Sequence, residues 1–509
     1  MEVILDGQAL RAEQVVAVAR QGARLVPGPG MAETMRASAE VVAEALGGDR
    51  IVYGVTTGFG ALASRRIRPQ ERLPLQAALV RSHAAGIGAP VEAEVVRAMM
   101  ALRACSLSRG YSGVRPVVVE TLCAALEAGV VPWVPEHGSL GASGDLAPLA
   151  HVALALMGEG WALGRGGGRE PAGDALAAAG IRPLVLGPKE GLALLNGTDG
   201  MLAHLVLALD DAAALARAAD VVAGMTLEAL LGTDAVLDPR LHALRPHPGQ
   251  LAAAANLRKL VAGSAIVASH RQSAHLVQDA YSLRCCPQVH GASRDALAWC
   301  AEVAGRELSS VIDNPVVLPG GEVMSTGNFH GQPLAFAADL ARLAVAELGA
   351  IAERRVDRLL DAARSNELPP FLARSPGRNS GFMLAHYTAA ALAARHRRLA
   401  APASADSLPT SAGQEDHVSM GWSACRDLRV VLAGVHAILA VEALCAAAAL
   451  ELRGLAPGQG SAAALRRLRA AVPRMDEDRF MAADLEAARD LVAAGELARA
   501  AERAVGPLD

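Results

Sequence analysis

A mainly α fold is the reading that three observations support. Hydrophobic residues make up 52% of the 509-residue chain but aromatic residues only 3%. Ala, Leu and Val must therefore fill the interior, which suits closely packed helices better than an aromatic-rich pair of sheets. Apolar positions also recur at helical spacing: Leu340, Ala344, Leu348 and Ile351 share one face, while Asp339, Arg342, Glu353 and Arg354 supply polar positions. Alanine-rich stretches of the same kind run over 201–231, 251–281, 384–400 and 428–453, and no repeat of fixed period is evident.

The length allows about two to four domains, although long helices can merge them into one body. Residues 1–200 read as an N-terminal domain of short helices and loops punctuated by Gly and Pro, and 201–509 as an extended helical bundle. In chain order, the first marked loop is Tyr53-Gly54-Val55-Thr56-Thr57-Gly58-Phe59-Gly60, whose glycines suggest mobility. Asp145 then opens a helix carrying Leu146, Leu149, Val152 and Leu156. Gly164-Arg165-Gly166-Gly167-Gly168 fits no phosphate-binding template and reads as an exposed connection. Asn196-Gly197 after an apolar run reads as a helix-ending turn.

Charge and composition exclude several functions. The net charge is −4 and no basic stripe points to nucleic acid. All but two of the 48 basic side chains are arginine, the exceptions being Lys189 and Lys259. That scarcity argues against a Schiff-base lysine, and Lys189 reads as a solvated loop residue. The seven cysteines form no CxxC pair and read as reduced, buried thiols. His242 and His247 are assigned structural roles. The start Met1-Glu2-Val3 has no basic leader, and the apolar run Val430–Val441 falls short of a bilayer span. A soluble cytoplasmic protein with no membrane partner is the expectation.

Gly141-Ala142-Ser143-Gly144-Asp145-Leu146-Ala147-Pro148-Leu149-Ala150-His151 carries the chemistry. If the Gly144 nitrogen attacks the Ala142 carbonyl and water leaves, a five-membered ring forms. Loss of the Ser143 hydroxyl as a second water leaves an exocyclic methylidene, so the product is a methylidene-imidazolone (MIO). Closure needs a compressed backbone, which Gly141 and Gly144 permit, and a helix dipole behind the ring would draw electrons from it. The plainer reading of four such residues is a glycine turn with an Asp helix cap.

The longer context decides between these readings. The run around Ser143, with segments at 53–60, 82–86, 188–198, 242–250, 278–288, 327–330 and 404–420, resembles the MIO-dependent histidine, phenylalanine and tyrosine ammonia-lyase family. The resemblance covers most of the chain. It implies a helical bundle of the aspartase and fumarase lyase type, with a smaller N-terminal domain carrying the MIO loop. It also implies a homotetramer with shared active sites, a small amino-acid substrate and no external cofactor or metal.

Site residues follow from the same resemblance. Ala142, Ser143 and Gly144 would form the electrophile, with Tyr53 as the base and Tyr281 beside it as a further catalytic residue. A tyrosine titrates near ~10, so a base role needs positive charge or hydrogen-bond donors nearby. Arg284 would hold the substrate carboxylate through two parallel bonds; Gln278, Tyr281 and Arg284, three apart, could line one side of a helix end. Asn196 would hydrogen-bond at the MIO or the carboxylate, and Phe329 would pack on the ring, with ordinary core packing the alternative. Ser82-His83-Ala84-Ala85-Gly86 matches the version found in histidine-acting members, and Glu415 could accept the N–H of an imidazole. A buried acid beside a phenyl ring would be left unpaired. Glu415, Asp416 and His417, if adjacent on a helix, point apart and would not share a metal ion.

The implied reaction is elimination of ammonia from L-histidine to give trans-urocanate, the first step of histidine catabolism. Two alternatives stand beside it: a tyrosine or phenylalanine lyase or aminomutase using the same electrophile, and an inactive helical scaffold. Thr56, Cys286, His290 and Gly413 depart from the pattern of the histidine-acting members. His290 would alter substrate preference or pH optimum if it lined the pocket.

Overall fold

The structure is a computed structural model that describes residues 1–47, 51–272 and 277–509. Helices dominate it, and the four sheets among the described residues are two-stranded. The chain forms two compact units that do not follow chain order. The first comprises Met1–Leu207, Ala301–Asp339 and Pro402–Arg426; the second comprises Ala208–Cys300, Leu340–Ala401 and Asp427–Asp509. Four of the boundaries fall inside the helices Asp199–Ala229, Cys286–Leu308, Gln332–Leu360 and Gly421–Arg453.

All four sheets lie in the first unit. Strands Glu2–Leu5 and Arg24–Pro27 run parallel, with Glu2 opposite Arg24, and the alternation that buries Val3, Leu5 and Leu25 is the period-two pattern of a half-covered strand. Trp161–Leu163 and Arg169–Pro171 form a hairpin whose tip is the glycine run 164–168, exposed from Arg165 to Gly168 as its composition suggested. Helix ends follow local chemistry. Pro116 starts the helix Pro116–Ala128, and Gly129 ends it in the left-handed region at φ 74°. The helices Arg72–His83, Leu146–Leu156 and Glu190–Leu195 pack on one another. Leu79, Leu149, Leu156, Leu192 and Leu195 are buried there, each stabilising the unit by about 1.5–3 kcal/mol relative to exposure.

The second unit is helical. Met383–Leu399 covers all but the last residue of the expected 384–400 stretch, and Asp199–Ala229 nearly all of 201–231. The 251–281 stretch differs: it holds the helices Pro248–Leu260 and Ala265–His270, the second restarted by Ser264, whose hydroxyl accepts the Val267 N–H at 3.1 Å. Residues 273–276 lie outside the described ones. The helix Gly421–Arg453 extends well beyond the Val430–Val441 run and is long and apolar enough to cross a membrane, but 83% of its most apolar window is buried inside the protein.

The polar positions read from the Gln332–Leu360 helix are largely not solvated. Arg342 and Glu353 are buried, and Asp339 nearly so. Arg342 reaches Asp427 at 3.1 Å, Glu353 receives His386 at 2.8 Å, and Asp339 accepts the Ser404 N–H at 2.9 Å. Periodicity marks the charged face; it says nothing of the segments that cover it.

Candidate active site

A cavity of about 450 Å³ opens in the first unit, walled by the three packed helices and by the loops around Tyr53, Ser143 and Glu415. Its polar lining includes Tyr53, His83, Ser143, Asn196, Ser411 and Glu415, and Leu75, Leu79, Leu146, Leu192 and Leu195 supply much of the apolar wall. Five of the side chains expected in the site are therefore gathered here.

The Ser143 loop has the backbone that ring closure needs. Gly141 and Gly144 sit at φ 66° and 70°. A Cβ on Gly141 would lie 2.1 Å from Ser419 Oγ, and one on Gly144 would lie 2.1 Å from the Gly197 carbonyl oxygen. Only glycine meets both the conformation and the approach. Gly144 runs alongside Gly197, and the Asp145 N–H donates to the Gly197 carbonyl at 2.7 Å. Ser143 Oγ donates to Asn196 Oδ1 at 2.8 Å. Local backbone and hydroxyl placement thus fit an MIO built from Ala142, Ser143 and Gly144.

Asn196 ends the helix Glu190–Leu195, as the Asn-Gly turn suggested, and its buried amide faces Ser143 as well. Its Nδ2 donates to the Asn314 carbonyl at 2.9 Å. Behind it Arg103, fully buried, donates to the carbonyls of Ala193 and Asn196 at 2.8 and 3.1 Å and pairs with Asp199 at 2.7 Å. The helix Leu146–Leu156 begins where expected, but Asp145 does not cap it. Its carboxyl turns inward to Ser139 Oγ at 2.9 Å and the Met201 N–H at 2.8 Å. Burial pushes the Asp145 pKa up to about 7 despite these bonds.

Lys189 is a correction to the sequence reading. It is fully buried and pairs with Asp313 at 2.5 Å. Burial lowers the Lys189 pKa, opposed by the Asp313 carboxylate. The partner lies 124 residues along the chain, out of reach of any local pattern. The one available signal was that Lys189 is one of two lysines and lies inside the 188–198 motif block. Arg103 and Asp313 carried no signal at all.

The Tyr53 oxygen accepts the Gly60 N–H at 2.9 Å, one donor of the kind a base role needs, and its ring meets Phe59 edge-on at 6.3 Å. His83 closes the helix Arg72–His83, with Nδ1 2.9 Å from the Leu79 carbonyl. A carbonyl can only accept, so the neutral ring carries its proton on Nδ1 and keeps Nε2 as an acceptor. Burial lowers the His83 pKa, and the Leu79 bond and the charge of Glu415 oppose that fall. Glu415 Oε2 accepts the Thr410 hydroxyl at 2.8 Å across a tight bend. Residues 415–420 are not helical, so the metal argument built on a helix does not hold in that form.

Other candidates lie elsewhere. Phe329 is half-buried and does not line the cavity. Gln278, Tyr281 and Arg284 belong to the second unit. They do not line one helix side, because the helix Tyr281–Arg284 starts after Gln278. Instead the Arg284 guanidinium bonds Gln278 Oε1 and sits 5.6 Å from the Tyr281 ring centre. His290 is fully buried against Asp220 at 2.7 Å and lines no part of the cavity. Thr56 is buried too, its hydroxyl accepting the Val52 N–H at 2.8 Å. Gly413 takes φ 83° with open space around it, a conformation that Asn also tolerates. His242 is buried between the Val236 carbonyl and Gln250, at 2.9 and 3.1 Å.

Comparison with known proteins now decides the family. The sequence profile described as aromatic amino acid lyase matches residues 10–470. The chain belongs to the aromatic amino acid lyase family. It is a carbon–nitrogen lyase, and an MIO-type electrophile goes with that membership. The lyase is 55% identical over 509 residues to a histidine ammonia-lyase of Streptomyces avermitilis, covering 99% of each chain. It is 51% identical to that of Gloeobacter violaceus, covering 100% of this chain and 99% of the other. Among solved structures, a tyrosine aminomutase from Streptomyces globisporus matches with TM-score 0.94 at 38% identity over 100% of both chains. A histidine ammonia-lyase from Trypanosoma cruzi matches with TM-score 0.90 at 38% identity, over 99% of this chain and 96% of that one. The mainly α fold expected from composition is the fold of this family.

Proposed function

We propose that this lyase eliminates ammonia from L-histidine to give trans-urocanate, using an MIO formed from Ala142, Ser143 and Gly144. The observation that carries the reading is the shared cavity, where Ser143 and Tyr53 stand with an acceptor pair, His83 and Glu415. The methylidene supplies an electrophile that bonds the substrate amine and makes it a better leaving group.

This chain's residues do the rest. Tyr53 Oη, fixed by the Gly60 N–H, removes the β-proton. His83 and Glu415 recognise the imidazole: a site built from hydrogen-bond acceptors favours a ring that donates over a phenyl ring that cannot. Asn196 holds the loop and the substrate near it. Arg284, with Gln278, is assigned the substrate carboxylate, Tyr281 a further catalytic role, and Phe329 the stacking position. We assign these four to sites shared between copies in a homotetramer, and place the enzyme in the cytoplasm.

The test is near-ultraviolet absorbance after mixing desalted protein, without added cofactor, separately with L-histidine, L-tyrosine and L-phenylalanine. Urocanate from histidine alone supports the reading. A cinnamate-type product keeps the chemistry and overturns the substrate, and no product with any of them overturns the activity.

A further inference from the structure

A chain of hydrogen bonds runs from the cavity to the buried ion pair. Ser143 Oγ donates to Asn196 Oδ1, and Asn196 Nδ2 donates to the Asn314 carbonyl at 2.9 Å. The Asn314 N–H donates to Asp313 Oδ1 at 2.8 Å, and Asp313 Oδ2 accepts Lys189 Nζ at 2.5 Å. Asn314 is held a third time, its Oδ1 accepting the Thr326 N–H at 2.8 Å. Every side chain named here from the Asn196 amide to Lys189 is buried.

The direction of each bond matters. A carbonyl can only accept, so the Asn314 oxygen dictates which end of the Asn196 amide it meets. The nitrogen is drawn back to Asn314 and the oxygen is presented to Ser143. Were Asn314 to move, the Asn196 amide would be free to rotate, and its nitrogen could face the hydroxyl instead. Asn314 in turn rests on the Asp313 carboxylate, which is oriented by its bond from Lys189. A buried ion pair adds little stability over apolar packing of the same volume, so its placement one hydrogen bond behind Asn314 calls for another explanation.

We propose that Lys189 and Asp313 are a positioning pair: acting through Asn314, they set the orientation of the Asn196 amide and thereby both the maturation of the Ser143 loop and its use in turnover. This rests on the reading of Ala142–Gly144 as the source of the electrophile. Maturation releases two waters, one carrying the Ala142 carbonyl oxygen and one carrying Ser143 Oγ, so it is read directly as mass. Neither Lys189 nor Asp313 lines the cavity; their effect is transmitted.

The test pairs the double variant Lys189→Met, Asp313→Asn with the parent enzyme. The double variant leaves no buried charge unpaired, and the new Asn keeps an acceptor for the Asn314 N–H. Peptide mass across residues 142–144 gives the matured fraction, thermal unfolding reports the fold, and kcat and KM for L-histidine are measured per matured site. The expected result is a folded protein with a reduced matured fraction. Its kcat should fall by about 10²-fold, the loss typical of a misplaced group, with a smaller change in KM because His83 and Glu415 are untouched while Asn196 is reoriented. A folded double variant with the parent's matured fraction and kcat overturns the proposal. If it fails to fold, the single variant Asp313→Asn, produced at low temperature, is judged by the same mass and kcat criteria. A parent enzyme whose peptide keeps both waters would instead overturn the electrophile reading itself, a distinct outcome.

Discussion

Each unit buries a cluster of charges, and the two clusters end differently. In the first, Lys189–Asp313 and Arg103–Asp199 pass hydrogen bonds outward to Asn196 and so to the Ser143 loop. In the second, Arg355 pairs with Glu442 at 2.5 Å, while Asp220 takes His290 and Arg294 at 2.7 and 2.6 Å. The outer bonds of that cluster reach Thr226 at 2.8 Å and Asn256 at 2.9 Å on packed helices, the Asp509 carbonyl at 2.8 Å, and the Ser282 carbonyl at 3.5 Å. Burial of charge is thus common to both, and what separates them is where the last hydrogen bond lands. The first ends on a loop facing a cavity; the second ends on packed helices, on Asp509 and on the backbone of the short Tyr281–Arg284 helix.

The largest test of that contrast is Ser143→Ala, which should abolish urocanate formation. Thermal unfolding should show a folded protein, and measurable turnover would refute the role of the loop. Tyr53→Phe comes next, lowering kcat by roughly 10²–10⁴-fold while the peptide mass across 142–144 stays that of the parent. An unchanged rate would reassign the base. In the other cluster, Arg355→Met strands the buried Glu442 carboxylate and should cost about 3–5 kcal/mol in urea unfolding. The matured fraction should not change, and a change would show that the second cluster also reaches the loop.

The smallest effects are slopes with pH, and they fall in separate windows. Asp145 titrates at about 7 in the folded chain against ~3.9 when unfolded. Between those values the native state holds a proton that the unfolded state has lost, so stability declines as pH rises from about 4 to 7. Asp145→Asn should flatten that stretch of the curve. For His290, burial works against the charged ring, but the Cys286 sulfur and the Asp220 carboxylate outweigh it and hold the pKa at about 9. Its contribution is complete below ~6.5, the unfolded value, and is lost as pH rises through about 9. His290→Gln should remove that later decline and leave the earlier one. A curve with one decline, or with both abolished by one variant, would show that Asp145 and His290 do not titrate independently.

What could be read in advance followed the range of the forces involved. The start of the helix at Leu146, the exposure of the 164–168 hairpin tip and the span of Met383–Leu399 depend on neighbours a few residues away. The sharp backbone around Ser143 was legible because Gly141 and Gly144, at φ 66° and 70°, bracket it in sequence. Lys189, Arg342 and Glu353 were not legible as buried groups. The carboxylate on Lys189, the Asp427 carboxylate on Arg342 and the His386 ring on Glu353 come from remote segments. His290 shows another limit: an unusual residue near a motif block is engaged by Asp220 and is not among the residues that line the cavity.

Ser419 Oγ donates to the Gly141 carbonyl at 3.0 Å, and Ser419 comes from the 402–426 stretch that completes the first unit. Translation therefore delivers the loop long before it delivers the surroundings that hold it. For as long as the ribosome is still adding some 270 residues beyond Ser143, the loop lacks this restraint, and the Glu415 side of the cavity does not exist. The loop therefore reaches its full set of native restraints only once the 402–426 stretch has been made.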